Sequence, residues 1–268
     1  TMIRGGPAIS GVLSVVALYA LGKRLFGGQT GLLAALLLAI SPMHVWYSRE
    51  ARGYALMTLF GLLTAYFMMR ALADNRPGSW LGYVLLSALG TYTHSFGVLI
   101  IGALNLYALL WFAMRRPRRG AIGGWLAAQV MLALALVPFL RGFMGQTTEG
   151  WGAWIGDKYG VPSPKTLVFT IGQFSFGTAY DQNRLASVLA LAVFAIPGLA
   201  ALVAAGRSMR RPGWWMSAGQ GLALAAIYLA APIGVLFVAS QVTPLYLDRY
   251  LLPFVPPYLL IIAYGLLA

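Results

Sequence analysis

The chain has 268 residues, 60% apolar and 9% charged, with a mean hydropathy of +0.76; a water-soluble domain would carry about 25% charged residues, so this is a membrane chain. Nineteen Lys and Arg against six Asp and Glu leave a net charge of +13. In a soluble protein that excess would suggest nucleic acid, but in a polytopic one it is the expected positive-inside bias, and cysteine is absent, which excludes disulfides and thiolate sites.

Taken in chain order, apolar segments fall near residues 5–22, 29–42, 54–72, 79–93, 97–114, 121–141, 185–206, 214–239 and 251–268. At 1.5 Å per residue a bilayer core needs about 20 residues of helix, so the pattern predicts an all-α, polytopic transmembrane bundle of about nine spans. If every segment crosses, the connections alternate sides. One side receives Lys23, Arg24, Arg70, Arg76, Arg115, Arg116, Arg118, Arg119, Arg207, Arg210 and Arg211 with Asp74 as its sole acid; the other receives Arg4, Arg49, Arg52, Arg141, Lys158, Lys165, Arg184 and Arg249 with the remaining acids and both histidines. The first side is predicted to be cytoplasmic, with Trp80, Trp111, Trp125, Trp214 and Trp215 as interfacial anchors. The basic run from Arg115 to Arg119 reads as a stop-transfer and headgroup contact, with no nucleic-acid partner.

Residue 1 is Thr, no leader precedes the first span, and the chain stops inside an apolar run. The expectation is one transmembrane domain over 1–268, truncated at both ends, with 142–184 as an outward loop within it.

The outward connections gather the chemistry. The densest cluster runs from Ser41 to Tyr54. Ser41 suits a helix N-cap and Pro42 a first turn. Continued at 100° per residue, the helix would place Tyr47, Glu50 and Tyr54 on one face and Ser48, Arg49 and Arg52 on another. A short surface helix with one acid and two guanidinium groups is expected; the arginines would either face headgroups or form a fork for phosphate. The 142–184 stretch carries Trp151, Trp154, Asp157 and Lys158 among many Gly and Pro residues, a composition that suits sugar stacking or simple residence in the headgroup layer. No Walker or dinucleotide pattern is present.

Ile3-Arg4-Gly5-Gly6-Pro7, Gly11-Val12-Leu13, the run from Leu18 to Gly27, Ser41-Pro42 and the run from Tyr47 to Tyr54 together resemble the polyprenyl-phosphate-sugar-dependent glycosyltransferases of the membrane-embedded GT-C class. The likeness is to the bacterial family 39 group related to protein O-mannosyltransferases and aminoarabinose transferases. Thr93-His94-Ser95-Phe96-Gly97 and the run from Asp248 to Pro253 resemble that group's later landmarks. The resemblance implies a GT-C fold in a bacterial cytoplasmic (inner) membrane. The reaction would transfer a hexosyl or pentosyl unit from a polyprenyl-phosphate-linked donor to an acceptor on the extracytoplasmic face. It also implies that the family's principal catalytic acid lies upstream of residue 1, so that this chain alone would be inactive.

Within the chain, Glu50 is the expected assisting catalytic carboxylate, or else an ion-pair partner of Arg49 or Arg52. Arg49, Arg52, Arg249 and Tyr250 are the expected donor-phosphate contacts, with Tyr54 and His94 as further candidates. No cofactor is required on this reading. A divalent metal on His44, His94 and Glu50 would lack any local spacing signature, and hydrogen-bonded histidines compete with it. Two other function classes stand beside the enzyme: a transporter or flippase for a lipid-linked or anionic substrate, which would want ionisable groups at the bilayer midplane, and a noncatalytic membrane scaffold.

Overall fold

The computed structural model describes residues 4–115, 119–146, 160–177, 184–209 and 218–268, and among them every regular element is helical. Helix α1 (Gly5–Phe26) turns at Gly27, whose φ of 100° needs a residue without Cβ, into α2 (Gly28–Ile40). The two pack backbone to backbone: a Cβ on Gly31 would lie 2.5 Å from the Lys23 nitrogen and 2.8 Å from the Tyr19 carbonyl. At Ser41 the chain becomes extended (ψ 119°), as a residue before proline must, and Ser41 Oγ accepts the His44 amide to cap α3 (Pro42–Tyr47). Both the predicted cap and the predicted first-turn proline are therefore present.

The helix does not continue to Tyr54. It ends at Tyr47, and residues 48–53 form turns and bends, with the Arg52 amide bonded to the Glu50 carbonyl at 2.8 Å. The expected helical faces of Glu50, Arg49 and Arg52 do not exist. Six residues give too few internal hydrogen bonds to carry a helix through a Ser-Arg-Glu-Ala-Arg-Gly stretch that buries little.

Next come α4 (Tyr54–Asp74), α5 (Pro77–Thr93), α6 (Gly97–Arg115) and α7 (Arg119–Gln146). The α4–α5 turn is fixed by Asn75 in the left-handed region (φ 49°), by Pro77 in the first turn and by Asp74, which accepts from the Arg76 amide (3.0 Å), Ser79 Oγ (3.1 Å) and Arg70 Nε (3.3 Å). Helix α8 (Pro164–Phe176) lies in the stretch expected to be loop, opened by a Ser163–Thr166 capping box. Then come α9 (Arg184–Met209), α10 (Gly219–Ala239), a 3-10 helix (Asp248–Phe254) and α11 (Val255–Leu267).

Six of these helices are long and apolar enough to cross a membrane among the described residues: α1, α4, α6, α7, α10 and the unit Asp248–Leu267. The other three predicted segments are helices as well, but α2 has 13 residues, α5 has 17, and the qualifying apolar part of α9 is Val193–Arg207. The chain is a multi-pass, all-α membrane protein. Helices α4 and α11 are central, with 67% and 72% of their spans buried, whereas α7 buries 22% and turns Leu126, Val130 and Leu134 outward.

The alternation read from the sequence holds through the packing. At one end Arg115 Nη2 donates to Gln220 Oε1 (3.4 Å), and Gly124 lies against Asn75 and Trp80. At the other end, contacts join the start of α1, the α3–α4 turn, the α5–α6 junction, α8 and the 3-10 helix. The tryptophans depart from expectation. Trp80 and Trp111 are 6% and 7% exposed; Trp80 Nε1 donates to Asn75 Oδ1 (2.9 Å), and Trp125 Nε1 donates to Asn105 Oδ1 (2.8 Å). Neighbouring helices offer these indoles amide acceptors, so they pack inside the bundle instead of anchoring it in headgroups. Trp214 and Trp215 lie outside the described residues.

Candidate functional site

The end of the bundle opposite Arg70 and Arg115 is built from four separated stretches. Arg4 precedes α1, the turn 48–53 precedes α4, His94-Ser95-Phe96 precedes α6, and Asp248-Arg249-Tyr250 opens the 3-10 helix. What holds the second stretch to the first is a buried histidine. His44, 3% exposed, makes a 3.2 Å hydrogen bond from Nε2 to the Gly11 carbonyl, and burial, only partly opposed by that bond, holds its pKa below the usual range. A Cβ on Gly11 would collide with Ser48 Oγ and Ser48 Cβ, so α1 and α3 touch at a point that admits no side chain. His44 thus pins α3 to α1 and faces away from Glu50. Among the described residues no group of three or more His, Cys, Asp or Glu is placed to hold a metal.

On this scaffold Arg4, Arg49, Arg52, Glu50, Ala51 and Trp46 surround an open depression of about 540 Å³. Three guanidinium groups and one carboxylate make it basic. Among the described residues no ion pair joins Glu50 to Arg49 or Arg52, so the carboxylate is not consumed by its chain neighbours. Arg4 was not anticipated as a site residue; only the return of α3 to the start of α1 brings it there.

Beside the depression stands a cluster of rings. Tyr54 lies 5.8 Å from Tyr47, 5.5 Å from His94 and 6.1 Å from Tyr250, and Tyr250 lies 5.2 Å from His94 and 4.7 Å from Phe96. The Arg249 guanidinium sits 5.4 Å from the Tyr250 ring centroid, and Arg52 bonds to the Tyr54 hydroxyl. The Phe96 amide donates to His94 Nδ1 (3.3 Å), which assigns the proton of the neutral ring to Nε2. Burial and then the Arg249 charge push the His94 pKa down to about 4, so the ring is neutral at physiological pH and offers a donor. The structure therefore brings Glu50, Arg49, Arg52, Tyr54, His94, Arg249 and Tyr250 to one face.

Two further residues belong there. Asp248 accepts the Arg249 amide (2.8 Å) and the Tyr47 hydroxyl; burial, with Asp248's charge and hydrogen bond behind it, raises the Tyr47 pKa and keeps that hydroxyl protonated. Asp248 thereby ties the 3-10 helix to α3, two hundred positions away in sequence. Trp151, Trp154, Asp157 and Lys158 lie outside the described residues.

Chemically, a shallow basic basin beside a neutral histidine and phenols can bind an anion such as a phosphate and leave one carboxylate facing it. Residues 1–140, just over half of the chain, match the sequence description of the family termed dolichyl-phosphate-mannose-protein mannosyltransferase. No curated protein matches the chain.

Proposed function

The chain belongs to the dolichyl-phosphate-mannose-protein mannosyltransferase family, and from that premise we propose that its basic basin is the donor site of a glycosyltransferase. The sugar passes from a polyprenyl-phosphate-linked donor to an acceptor at the extracytoplasmic face of a bacterial cytoplasmic membrane. The observation that carries this reading is the convergence of Arg4, Arg49 and Arg52 around one depression with Glu50 as its carboxylate.

The bond from the anomeric carbon to the phosphate oxygen breaks, and its electron pair stays on the phosphate. An acceptor hydroxyl forms the new bond to that carbon and gives its proton to Glu50. Deprotonation by a placed carboxylate contributes about 10²- to 10⁴-fold, and the arginines stabilise charge as it grows on the leaving phosphate. Arg249, Tyr250, Tyr54 and the Nε2–H of His94 form the wall against which the phosphate's remaining oxygens are held. The distribution of charge supports an enzyme over a transporter: the polar groups buried between α5, α6 and α7 are the neutral Tyr83, Asn105 and Gln129, while the ionisable groups stand at helix ends.

The test is Glu50→Gln assayed with an undecaprenyl-phosphate sugar labelled in the sugar. Turnover is expected to fall at least a hundredfold with donor binding retained, and Arg52→Ala is expected to weaken donor binding. Unchanged turnover in Glu50→Gln refutes the role of Glu50, and unchanged donor binding in Arg52→Ala and Arg49→Ala refutes the donor site.

A further inference from the structure

On the far side of Trp46 lies a second, narrower cleft of about 100 Å³, between α3, α8 and the 3-10 helix. Trp46 lines both this cleft and the basic basin, so whatever occupies one lies against the occupant of the other. Its floor and walls carry the rings of Trp46, Tyr47 and Phe176 and two polar side chains, Asp248 and Gln173. Gly177 closes it at φ 64°, where a Cβ would come within 2.9 Å of Pro42 Cβ, so the chain needs glycine there to bring α8 this near.

The lining selects the class of ligand by elimination. A hydrocarbon tail would bury the Asp248 carboxylate and the Gln173 amide without partners, at a cost of several kcal/mol. An anion would meet the Asp248 charge. A neutral polyol fits both demands, and a pyranose fits best, because its C–H face lies on rings while its hydroxyls reach a carboxylate and an amide at the rim. Gln173 strengthens the case: its side chain is only partly exposed yet makes no hydrogen bond to any described residue, so the fold itself does not use it.

We propose that this cleft is a subsite for a hexopyranosyl unit, held by Gln173 and Asp248 and stacked on Trp46. It rests on the proposed donor site in one respect: the sugar is one that the transfer reaction uses, carried either by the donor or by the acceptor. With the phosphate among the arginines of the basin, a donor sugar crosses the edge of Trp46 into the cleft.

The test compares wild type, Gln173→Leu and Trp46→Ala in nanodiscs, each titrated with undecaprenyl phosphate, its mannosyl derivative, and methyl α-D-mannopyranoside with its gluco and galacto epimers. For a donor sugar, both variants weaken the mannosyl lipid and the methyl glycoside by about five- to tenfold, the worth of one hydrogen bond or stacking contact. Gln173→Leu leaves the sugar-free carrier unchanged. Weakened methyl glycoside and a raised acceptor KM, with mannosyl lipid unchanged, assign the cleft to an acceptor sugar. Unaltered binding of both sugar-bearing probes in both variants, or no binding of either by wild type, overturns the subsite. Failure of wild type to bind the carrier lipid overturns the donor reading instead, and the methyl glycosides still test the cleft.

Discussion

Replacing Gly11 by alanine tests how the basin is held in place. In a helix interior Gly→Ala ordinarily stabilises by about 0.8–1 kcal/mol. Here the new methyl runs into Ser48 Oγ, sits 2.8 Å from Ser48 Cβ and comes within 3.6 Å of His44 Nε2. Overpacking of this kind costs about 1–3 kcal/mol, and pushing α3 away breaks the buried His44–Gly11 hydrogen bond, worth about 1 kcal/mol more. The net expectation is a loss of about 2 kcal/mol, against the propensity trend. Gly102, which has no atom within 4 Å of its virtual Cβ, serves as control: Gly102→Ala should be neutral or stabilising. Ser48→Gly removes both colliding atoms and should restore most of the loss in the double variant. The assay is unfolding of the detergent-solubilised protein by SDS titration, followed by tryptophan fluorescence, with donor affinity measured on the same samples. Because Ser48 leads into the turn bearing Glu50 and Arg52, donor affinity should fall with stability and return with the rescue. A Gly11→Ala protein as stable as Gly102→Ala, or one that Ser48→Gly fails to rescue, refutes the reasoning.

Arg52→Ala should weaken donor binding about tenfold or more at unchanged protein level, whereas Arg70→Ala, which removes an exposed ion pair with Asp74 at the opposite end, should change stability by less than about 1 kcal/mol and leave donor binding alone; equal effects in binding assays would dismiss the basin. His94 binds its proton in the unfolded chain near pH 6.5 but in the fold only near 4, so between these values the unfolded state holds more protons and stability falls as pH falls. His94→Gln should flatten part of that slope in unfolding titrations, leaving the part due to His44, whose pKa is lowered in the same direction. Asn105→Leu strands the Trp125 Nε1–H and Gln129, and should cost about 1 kcal/mol in SDS unfolding; adding Gln129→Leu should recover part of it, and additive losses would show that no network exists.

The helical segments, the alternation of ends and the start of α3 were legible in the sequence, because each rests on local physics: apolar length, the exclusion of charge from spans, a serine cap before proline. The termination of α3 was not. A surface stretch such as Ser48 to Gly53 keeps helical spacing of its ring residues by chance, and Tyr47 and Tyr54 meet across a turn instead of along a face. Helix α8 was hidden for a similar reason, since Ser163-Pro164-Lys165-Thr166 marks a helix start only when the residues after it have somewhere to pack, here against Tyr246 and Tyr258. The candidate residues near Tyr54 and Arg249 were found by motif, but their meeting was not, since nothing local records that Asp248 reaches Tyr47. Arg4 and Gln173 carried no signal at all: one arginine before a span and one glutamine among phenylalanines look like any others until the helices are assembled.

The ring cluster has a consequence for the surroundings of the protein. Tyr54 opens α4, His94 and Phe96 abut α6, and Tyr250 begins the 248–267 unit, and these three helices have 21, 19 and 20 residues. Each spans roughly 30 Å, the thickness of a bilayer's hydrocarbon core. The rings meet because three rods of equal length stand at one level. A thinner or thicker membrane tilts such rods unequally, and a slip of one residue moves a ring by about 1.5 Å, enough to part it from its neighbours. The lipid around the protein is therefore a component of the site, and a change of acyl-chain length alone would act on it as a mutation does.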